Sequence, residues 1–543
     1  LIPVRHPEEL KILRADQVGE RWAGLFGSGR IAPILASTRG AEDSPERILS
    51  PDWLREIQGL NLGTGEAKAL GEMGRVGPGS DVVVYGDYDV DGIASTVILV
   101  EWILHRGGRA RWYIPHRFRE GYGFHPAAAR GIAARRPSLL LVADCGTRDA
   151  EALGVVRAAG IPTLVFDHHL SEGPPGEAEA LVNPQIDGDS ASRALSAAGL
   201  IFSWLLRSGL AEPDWLAERS ELAALSTVAD CVSLAVPVNR ALVREGLRAL
   251  RSTARRGLSL LMEQLSVDPD EADEETLAMR LIPCLNAAGR LDLADLAVKI
   301  LLSEGSPRVE VDRLIELNRR RRSFSDQILS DLDEGAFRHV RSGPAWPVGV
   351  LSSVASRVCC SLGRPVALAA PAGPVMRGTL RMPEGGDAVA VLRELDPLLR
   401  SWGGHRLAGF SVPMDGWSRL EDRMEQLLAS VELPPIREEV LPLDPAELTL
   451  AEWAQIRRLG PFGVGNPSPL FFSPAGRWRA RPLSRERRHA RVDREGCSFV
   501  AFGGEELWSK TPPAVQGWVW RAREECRRGE RGLQRFVERV VLP

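Results

Sequence analysis

Hydrophobic positions in the first third of the chain fall in short unbroken runs, each followed by a stretch of helical character. Residues 81–86 (DVVVYG) read as a buried strand, and 93–105 (IASTVILVEWILH) as the helix that follows. SLLLVAD (138–144) and IPTLVFD (161–167) repeat the pattern. Strands alternating with helices predict a parallel α/β sheet. All three runs lead into an aspartate: Asp87, Asp144 and Asp167. Sites in such sheets lie beyond the carboxyl ends of the strands, so the charge is placed where chemistry is expected.

The pattern then changes. Residues 191–335 read as mostly helical, and SPRVEVDRLIELNRRRRSFSDQILSDLDEG (306–335) as one long helix joining two lobes. Residues 346–432 return to mixed α/β character. A proline-rich junction follows (ELPPIREEVLPLDP, 432–445). LGPFGVGNPSPLFF then opens a segment of short alternating runs rich in Arg, which predicts a small β-barrel. Neither an internal repeat nor a long low-complexity tract interrupts this order.

With 543 residues the chain is too long for one core, and three or four domains are expected. No window approaches the roughly 18 consecutive apolar residues of a membrane span. LIPVRHPEELKILRADQ at the start lacks the basic-then-apolar order of a secretory signal, and Leu1 in place of Met is consistent with a processed start. The seven cysteines are scattered and contain no C-x-x-C, which argues against a disulfide framework or a zinc site and for a reducing cytoplasm. The net charge of −4 gives no support to nucleic-acid binding, although an average conceals local patches.

Candidate chemistry starts at DYDVDG (87–92), with Asp87, Asp89 and Asp91. An EF-hand-like loop is excluded because its twelfth position is Ile98 inside an apolar helix. A turn with N-capping aspartates is the bland alternative, and it weakens once VADCG and FDHH appear at the next strand ends. Clustered carboxylates repel one another unless a cation neutralises them. Asp87, Asp89, Asp91 and Asp144, joined by Asp167, His168 and His169, form a mixed oxygen and imidazole set suited to Mn²⁺ or Mg²⁺. The carboxylates suffice for two ions about 3.5–4 Å apart, an arrangement that activates water for attack on phosphorus. TVADCVSL adds Asp230.

The ordered motifs VVYGDYDVDG, VADCGT, FDHH and TVADCVSL resemble those of the DHH phosphoesterase superfamily, and within it the RecJ family of single-strand-specific 5′→3′ exonucleases. PHRFREGYGF (115–124), NAAGRLD (286–292), VASR (354–357), GGHRLAGF (403–410) and PFGVGNPSP (461–469) extend the resemblance over roughly residues 45–480. It implies an α/β multidomain protein: an N-terminal segment (1–45), a parallel-sheet DHH catalytic domain (46–250), a helical connector (251–340), an α/β DHHA1 domain (341–435) and a C-terminal OB-fold (436–543).

By the same resemblance, Asp87, Asp89, Asp91, Asp144, His168 and Asp230 are candidate metal ligands, one aspartate of the first motif acting from behind the others. Asp144 and His169 are the candidate catalytic residues, His169 donating a proton to the leaving oxygen or binding the scissile phosphate. For His169 a structural pairing with Asp144 or Asp230 stays open. A terminal 5′-phosphate suits Arg117 and Arg381, with Thr379 as hydroxyl partner, and Arg290 and Arg357 are further phosphate candidates. His405 follows two glycines that let backbone amides approach an anion. Tyr122 is a candidate for stacking on a nucleobase, and Trp478, within RWRARPLSRERRHAR (477–491), for single-strand contact or for a charged barrel edge. Implied partners are single-stranded DNA with a 5′ end, a single-strand-binding protein and a helicase, without a membrane.

Some positions depart from the family pattern. Cys284 stands where arginine is usual, Pro347 and Ser352–Ser353 where the family commonly has His and Gly-Ile, and Thr379 where Ser is usual. Arg280 is placed to compensate for Cys284. Two other functions remain open on these residues: an oligonucleotide or nucleotide phosphatase of the same superfamily, and a non-catalytic replisome scaffold. Retention of every candidate ligand argues against the scaffold.

Overall fold

The apolar runs become five strands: β1 (Asp81–Tyr85), β2 (Arg109–Tyr113), β3 (Leu139–Ala143), β4 (Thr163–Phe166) and β5 (Ala180–Val182). They pair in the order β2-β1-β3-β4-β5, all parallel. Helices α1 (Val90–His105), α2 (Pro126–Ala133) and α3 (Ala150–Ala158) lie in the crossovers. Both faces of the sheet are covered, so alternate side chains enter two cores rather than core and water. Val82, Val84, Leu139, Leu141, Leu164 and Phe166 join the large core with α1. Val83, Tyr85, Leu140, Val142 and Val165 join a smaller one closed by α2 and α3. This double burial is why the runs read as unbroken. Strand order reverses between β1 and β3, and loops leaving those two strands diverge and open a crevice.

A computed structural model of the chain describes residues 4–14, 22, 25–26, 29–39, 44–170, 175–333, 336–404, 407–433, 437–483, 489–504, 507, 514–527 and 530–543. The chain forms two units, one of residues 39–319 and 457–467, the other of 1–38, 320–456 and 468–543.

In the first unit, α4 (Ala197–Arg207) and α5 (Ser220–Ala229) pack with α1 in the large core through Leu200, Phe202, Leu222 and Leu225. A charged clamp ties the same helices: Arg255 donates to Glu101 of α1 (2.6 and 2.8 Å) and to Glu221 of α5 (2.8 Å). Next come α6 (Pro237–Leu250) and α7 (Ile282–Leu291). Leu258, Leu285, Ile300 and Leu314 belong to the large core as well, so residues 251–319 pack as part of this unit. The stretch 457–467 is also held here. Arg240 of α6 donates to the Leu459 carbonyl (2.6 Å), and Leu234 N–H donates to the Val464 carbonyl (2.7 Å).

The expected long helix is present as α8 (Arg308–Asp333) and carries the chain into the second unit. There a mixed sheet runs β9-β10-β8-β7-β6, from β6 (Val340–Ser342), β7 (Val366–Ala372), β8 (Val375–Arg381), β9 (Ser401–Gly404) and β10 (Leu407–Pro413). Helix α9 (Val348–Leu362) connects β6 to β7, and α10 (Trp417–Ser430) buries Leu420, Met424 and Leu428 against Val340, Met376, Leu380 and Phe410. The C-terminal part is β-rich: β11 (Glu438–Pro442), β12 (Phe471–Pro474), β13 (Trp478–Pro482), β14 (Ala490–Arg494), β15 (Cys497–Ala501), β16 (Gly517–Arg527) and β17 (Glu530–Val541). Two N-terminal strands complete its sheet, Leu10–Ile12 beside β11 and Val4–Arg5 beside β17.

Candidate metal centre

The acidic residues meet at the crevice predicted by the strand order. Gly92 makes the first approach possible, because a Cβ there would lie 2.5–2.6 Å from the backbone of Asp87. Asp89 caps α1, its Oδ1 accepting from the Asp91 and Gly92 amides at 3.0 and 3.2 Å. Asp91 accepts from the Ala197 and Ala198 amides at the start of α4 (2.8 Å each) and from Ser226 Oγ of α5 (2.7 Å). Both of its oxygens are thereby engaged, and it acts as a strut joining three helices. Asp144 extends β3 with φ +64°, a left-handed conformation that a non-glycine residue adopts at a cost and that directs its carboxylate into the crevice. Asp230 terminates α5.

His168 fixes the chemistry most closely. Its Nδ1 donates to the Leu195 carbonyl at 3.0 Å, so in the neutral ring Nε2 is a bare lone pair. That lone pair lies 3.4 Å from Asp144 Oδ1 and 3.6 Å from Asp91 Oδ2, which also carry lone pairs. His168 Nε2 and Asp87 Oδ1 are buried without a hydrogen-bond partner among the described residues. Burial pushes the Asp87 carboxyl well up, helped by Asp89, and the Asp144 carboxyl well up, helped by Asp91, Asp89 and Asp87. Burial also pushes Asp230 to about 7, with Asp91 and Asp89 reinforcing and His168 opposing. Groups so crowded are relieved either by taking up protons, the direction in which all three carboxyls are pushed, or by a bound cation that lets them stay ionised. Among the described residues three overlapping ligand sets are within reach: Asp87–Asp89–Asp144, Asp91–His168–Asp230 and Asp144–His168–His169. Together these sets draw on five carboxylates and two imidazoles, an oxygen-dominated mix that fits Mn²⁺ or Mg²⁺.

His169 is held differently. Its carboxylate partner is Asp167 (Nδ1 to Oδ1 2.8 Å), not Asp144 or Asp230, and Asp144 Oδ1 is 3.9 Å away. Asp167 also accepts from the amides of Thr147 (3.1 Å), His168 (2.8 Å) and His169 (3.1 Å). Burial alone would raise the Asp167 carboxyl, but the His169 and Thr147 hydrogen bonds hold it well below the usual range. Against the opposing effect of burial, Asp167 pushes His169 up to about 9. Asn183, just beyond β5, donates to Thr147 Oγ1 and to the His169 carbonyl (2.9 Å each) and so locks this turn. The sequence reading gave neither Asp167 a locking role nor Asn183 any role. The available signal was a polar residue directly after the apolar ALV, at the same end of the sheet as the other site residues.

Tyr122 has an exposed ring, but its hydroxyl points inward, 3.2 Å from the Asp144 carbonyl and 2.9 Å from His169 Nδ1. Arg117 lies over the Tyr88 ring, 4.7 Å from its centroid, where its charge pulls down on the Asp87 carboxyl against burial. The NAAGR segment abuts the same loop: a Cβ on Gly289 would lie 2.5 Å from the Tyr88 carbonyl oxygen, which brings the half-buried Arg290 alongside. Cys284 is fully buried in the apolar core. Arg280 donates to the carbonyls of Leu265 and Ser266, which commits it to that turn, so it does not replace an arginine at position 284.

The remaining candidates lie in the second unit. Arg381 is buried and donates to Ser356 Oγ (2.9 Å), Ser352 Oγ and the carbonyls of Leu380 (2.9 Å) and Ala408 (3.4 Å). Thr379 Oγ1 donates to the Ala408 carbonyl at 3.2 Å, and Arg357 is exposed on α9. Trp478 meets buried Trp518 edge-on, with centroids 5.3 Å apart, and sits on the edge strand β13. His405 and residues 484–488 of the basic segment lie outside the described residues.

The chain is similar to known proteins in sequence and in fold. The family profile "DHH family, N-terminal domain" matches residues 81–236, and "RecJ OB domain" matches 441–538. The single-stranded-DNA-specific exonuclease RecJ of Thermus thermophilus is 32% identical over 515 residues, covering 91% of this chain and 73% of that one. The Escherichia coli enzyme of the same name is 32% identical over 431 residues, covering 72% and 74%. The Bacillus subtilis enzyme is 32% identical over 409 residues, and the chain spans about half (51%) of its length. The crystal structure of Thermus thermophilus RecJ with Mn²⁺ superposes over 100% of this chain and 79% of that one, at 27% identity with a TM-score of 0.77.

Proposed function

The chain belongs to the RecJ family, and from that membership we propose that it is a single-strand-specific 5′→3′ exodeoxyribonuclease that hydrolyses phosphodiesters with the help of two divalent ions. The observation that carries the reading is the bare Nε2 of His168 facing the Asp144 and Asp91 carboxylates, with Asp87 Oδ1 also unpartnered among the described residues. Asp87, Asp89, Asp144, His168 and Asp230 would hold the ions, with Asp91 bracing them from behind. Bound there, Mn²⁺ or Mg²⁺ supplies Lewis acidity toward a phosphoryl oxygen and an activated water.

The chain's own groups do the rest. Asp167 keeps His169 protonated near neutral pH and fixes its ring. His169 is then placed to give its proton to the departing 3′ oxygen as the P–O bond breaks, so each turn releases a 5′-mononucleotide and leaves a new 5′-phosphate. Arg117, Arg290, Arg357 and Arg381, with Thr379 and His405, are the phosphate-binding candidates, and Trp478 is the candidate single-strand contact of the C-terminal β-rich part. Residues 46–319 form the catalytic domain in this reading, 341–435 the DHHA1-type domain and 436–543 the OB-type domain, with the N-terminal strands added to its sheet. A strand end in recombination or repair is the substrate, exposed by a helicase and coated by a single-strand-binding protein. The setting is cytoplasmic, and no helix among the described residues is long and apolar enough to cross a membrane.

The test uses single strands labelled at the 5′ or the 3′ end, with Mn²⁺ and with EDTA. The 5′ label is expected to appear first as mononucleotide, and only with metal. Cleavage that persists in EDTA, or mononucleotide released first from the 3′ label, would refute the reading.

A further inference from the structure

Tyr122 presents two different chemical faces. Its ring is exposed, as a base-stacking residue requires, but its hydroxyl is turned away from solvent and into the catalytic turn. Hydrogen-bond directions there are constrained. A backbone carbonyl only accepts, so the Tyr122 hydroxyl donates to the Asp144 oxygen at 3.2 Å. The oxygen's lone pairs then face His169 Nδ1 at 2.9 Å, and Nδ1–H is also directed at Asp167 Oδ1 at 2.8 Å. Nδ1–H is therefore shared between a carboxylate and a phenol. The two acceptors fix the ring plane from two sides, and Nε2 is left without a partner among the described residues. The residue whose carbonyl Tyr122 grips is the one in the left-handed conformation, Asp144 at φ +64°. The rings of Tyr122 and His169 also touch, with centroids 5.1 Å apart.

We propose that Tyr122 is a positioning residue: through its hydroxyl it ties the strained backbone of Asp144 to the ring of His169, setting the carboxylate and the imidazole at fixed distance for the reaction. This rests on the exonuclease reading above. The flanking residues fit the role. Gly121 and Gly123 have φ of +91° and +102°, backbone that lets the loop turn Tyr122 inward, and Tyr85 Oη anchors the loop at the Gly123 carbonyl (2.8 Å). A residue that only stacks on a base needs none of these bonds.

The experiment separates hydroxyl from ring. Tyr122→Phe, Tyr122→Ala, His169→Ala and the double variant Tyr122→Phe/His169→Ala are assayed on 5′-phosphorylated single strands with Mn²⁺. A ¹⁵N-histidine spectrum of the wild type and of Tyr122→Phe follows, with the His169 signal identified by its loss in His169→Ala. Tyr122→Phe is expected to lower kcat about tenfold with KM unchanged, the scale of one hydrogen bond aligned on a reacting group. The double variant is expected to be no slower than His169→Ala, and the His169 Nδ1 resonance to move. Wild-type kcat in Tyr122→Phe together with a raised KM in Tyr122→Ala would assign the residue to base stacking and overturn the proposal, as would an unmoved Nδ1 resonance. A wild type inactive with Mn²⁺ would refute the exonuclease reading instead, and the resonance would still decide the role of Tyr122.

Discussion

Two buried charged regions, each taken within its own unit, obey opposite rules. In the metal centre, carboxylates and an imidazole lone pair face one another, and atoms such as Asp87 Oδ1 and His168 Nε2 have no partner among the described residues. Around Arg381 the protein itself supplies the partners: Ser356, Ser352 and the carbonyls of Leu380 and Ala408. Burying charge costs free energy in both places. The first region leaves the compensation to something that arrives, whereas the second has it built in. Unpartnered carboxylate and imidazole atoms that converge within ligand reach of one another fit a cation. A satisfied guanidinium marks a group that can meet a phosphate only by exchanging bonds, so its removal should matter less.

The largest expected effect follows from the first region. Asp144→Ala should lower kcat by about 10³-fold or more, because it removes a group shared between ligand sets. Binding of single-stranded DNA should stay within a few-fold of wild type by gel shift. Wild-type-like turnover would remove Asp144 from the centre and with it the contrast. Second in size is the response to metal. If the carboxylates await a cation, Mn²⁺ at about 100 times its Kd should stabilise the folded protein by about 2.7 kcal/mol, read as a rise of several degrees in Tm. Asp144→Asn without metal should melt no lower than wild type, because the amide keeps the size of the side chain and stays neutral at a buried position where burial and the neighbouring carboxylates disfavour charge. A Tm indifferent to Mn²⁺ in the wild type would show that the centre is self-sufficient, like the Arg381 region.

The sequence made the two regions unequally legible, for a physical reason. The centre is built from residues at successive strand ends, and strand ends follow from apolar runs, so Asp87, Asp144 and His168 could be brought together from pattern alone. Helix α8 was equally readable from its length and its flanks. The support behind the centre was not. Asp91 bonds α4 and α5 more than 100 residues away, and Asn183 locks a turn from another strand; nothing local marks such pairings. The partners of Arg381 were hidden in the same way, because Ser352 and Ser356 share a face of α9 one turn apart and meet β8 only in the folded sheet. The pairing of Leu10–Ile12 with Glu438–Val440 spans more than 400 residues and has no local cue. Packing of residues 251–319 into the first unit also escaped the reading, since amphipathic helices show that they are covered but not by what.

A third test moves to the second region. Arg381→Ala should weaken the preference for a 5′-phosphate over a 5′-hydroxyl by about tenfold, roughly one charge-assisted contact, while the response to Mn²⁺ stays as in wild type. Equal losses on both ends would mean that Arg381 braces α9 against β8 and does not read the phosphate.

The smallest effect is the most discriminating. The Oγ of Ser352 accepts from the Arg381 guanidinium. If Arg381 must release this hydroxyl to bind a terminal phosphate, Ser352→Ala removes the competitor. Stability should change by about 1 kcal/mol or less, since Ser356 and two carbonyls still accept from the guanidinium. Preference for the 5′-phosphate should then rise about two- to fivefold, the equivalent of roughly 0.4–1 kcal/mol of lost competition. Unchanged preference, measured with 5′-phosphate and 5′-hydroxyl strands at equal length, would show that Ser352 orients the guanidinium without restraining it. A fall would show that Ser352 helps to aim it at the phosphate. Only a rise supports the view that this region holds its charge in reserve while the acidic centre waits for a partner to arrive.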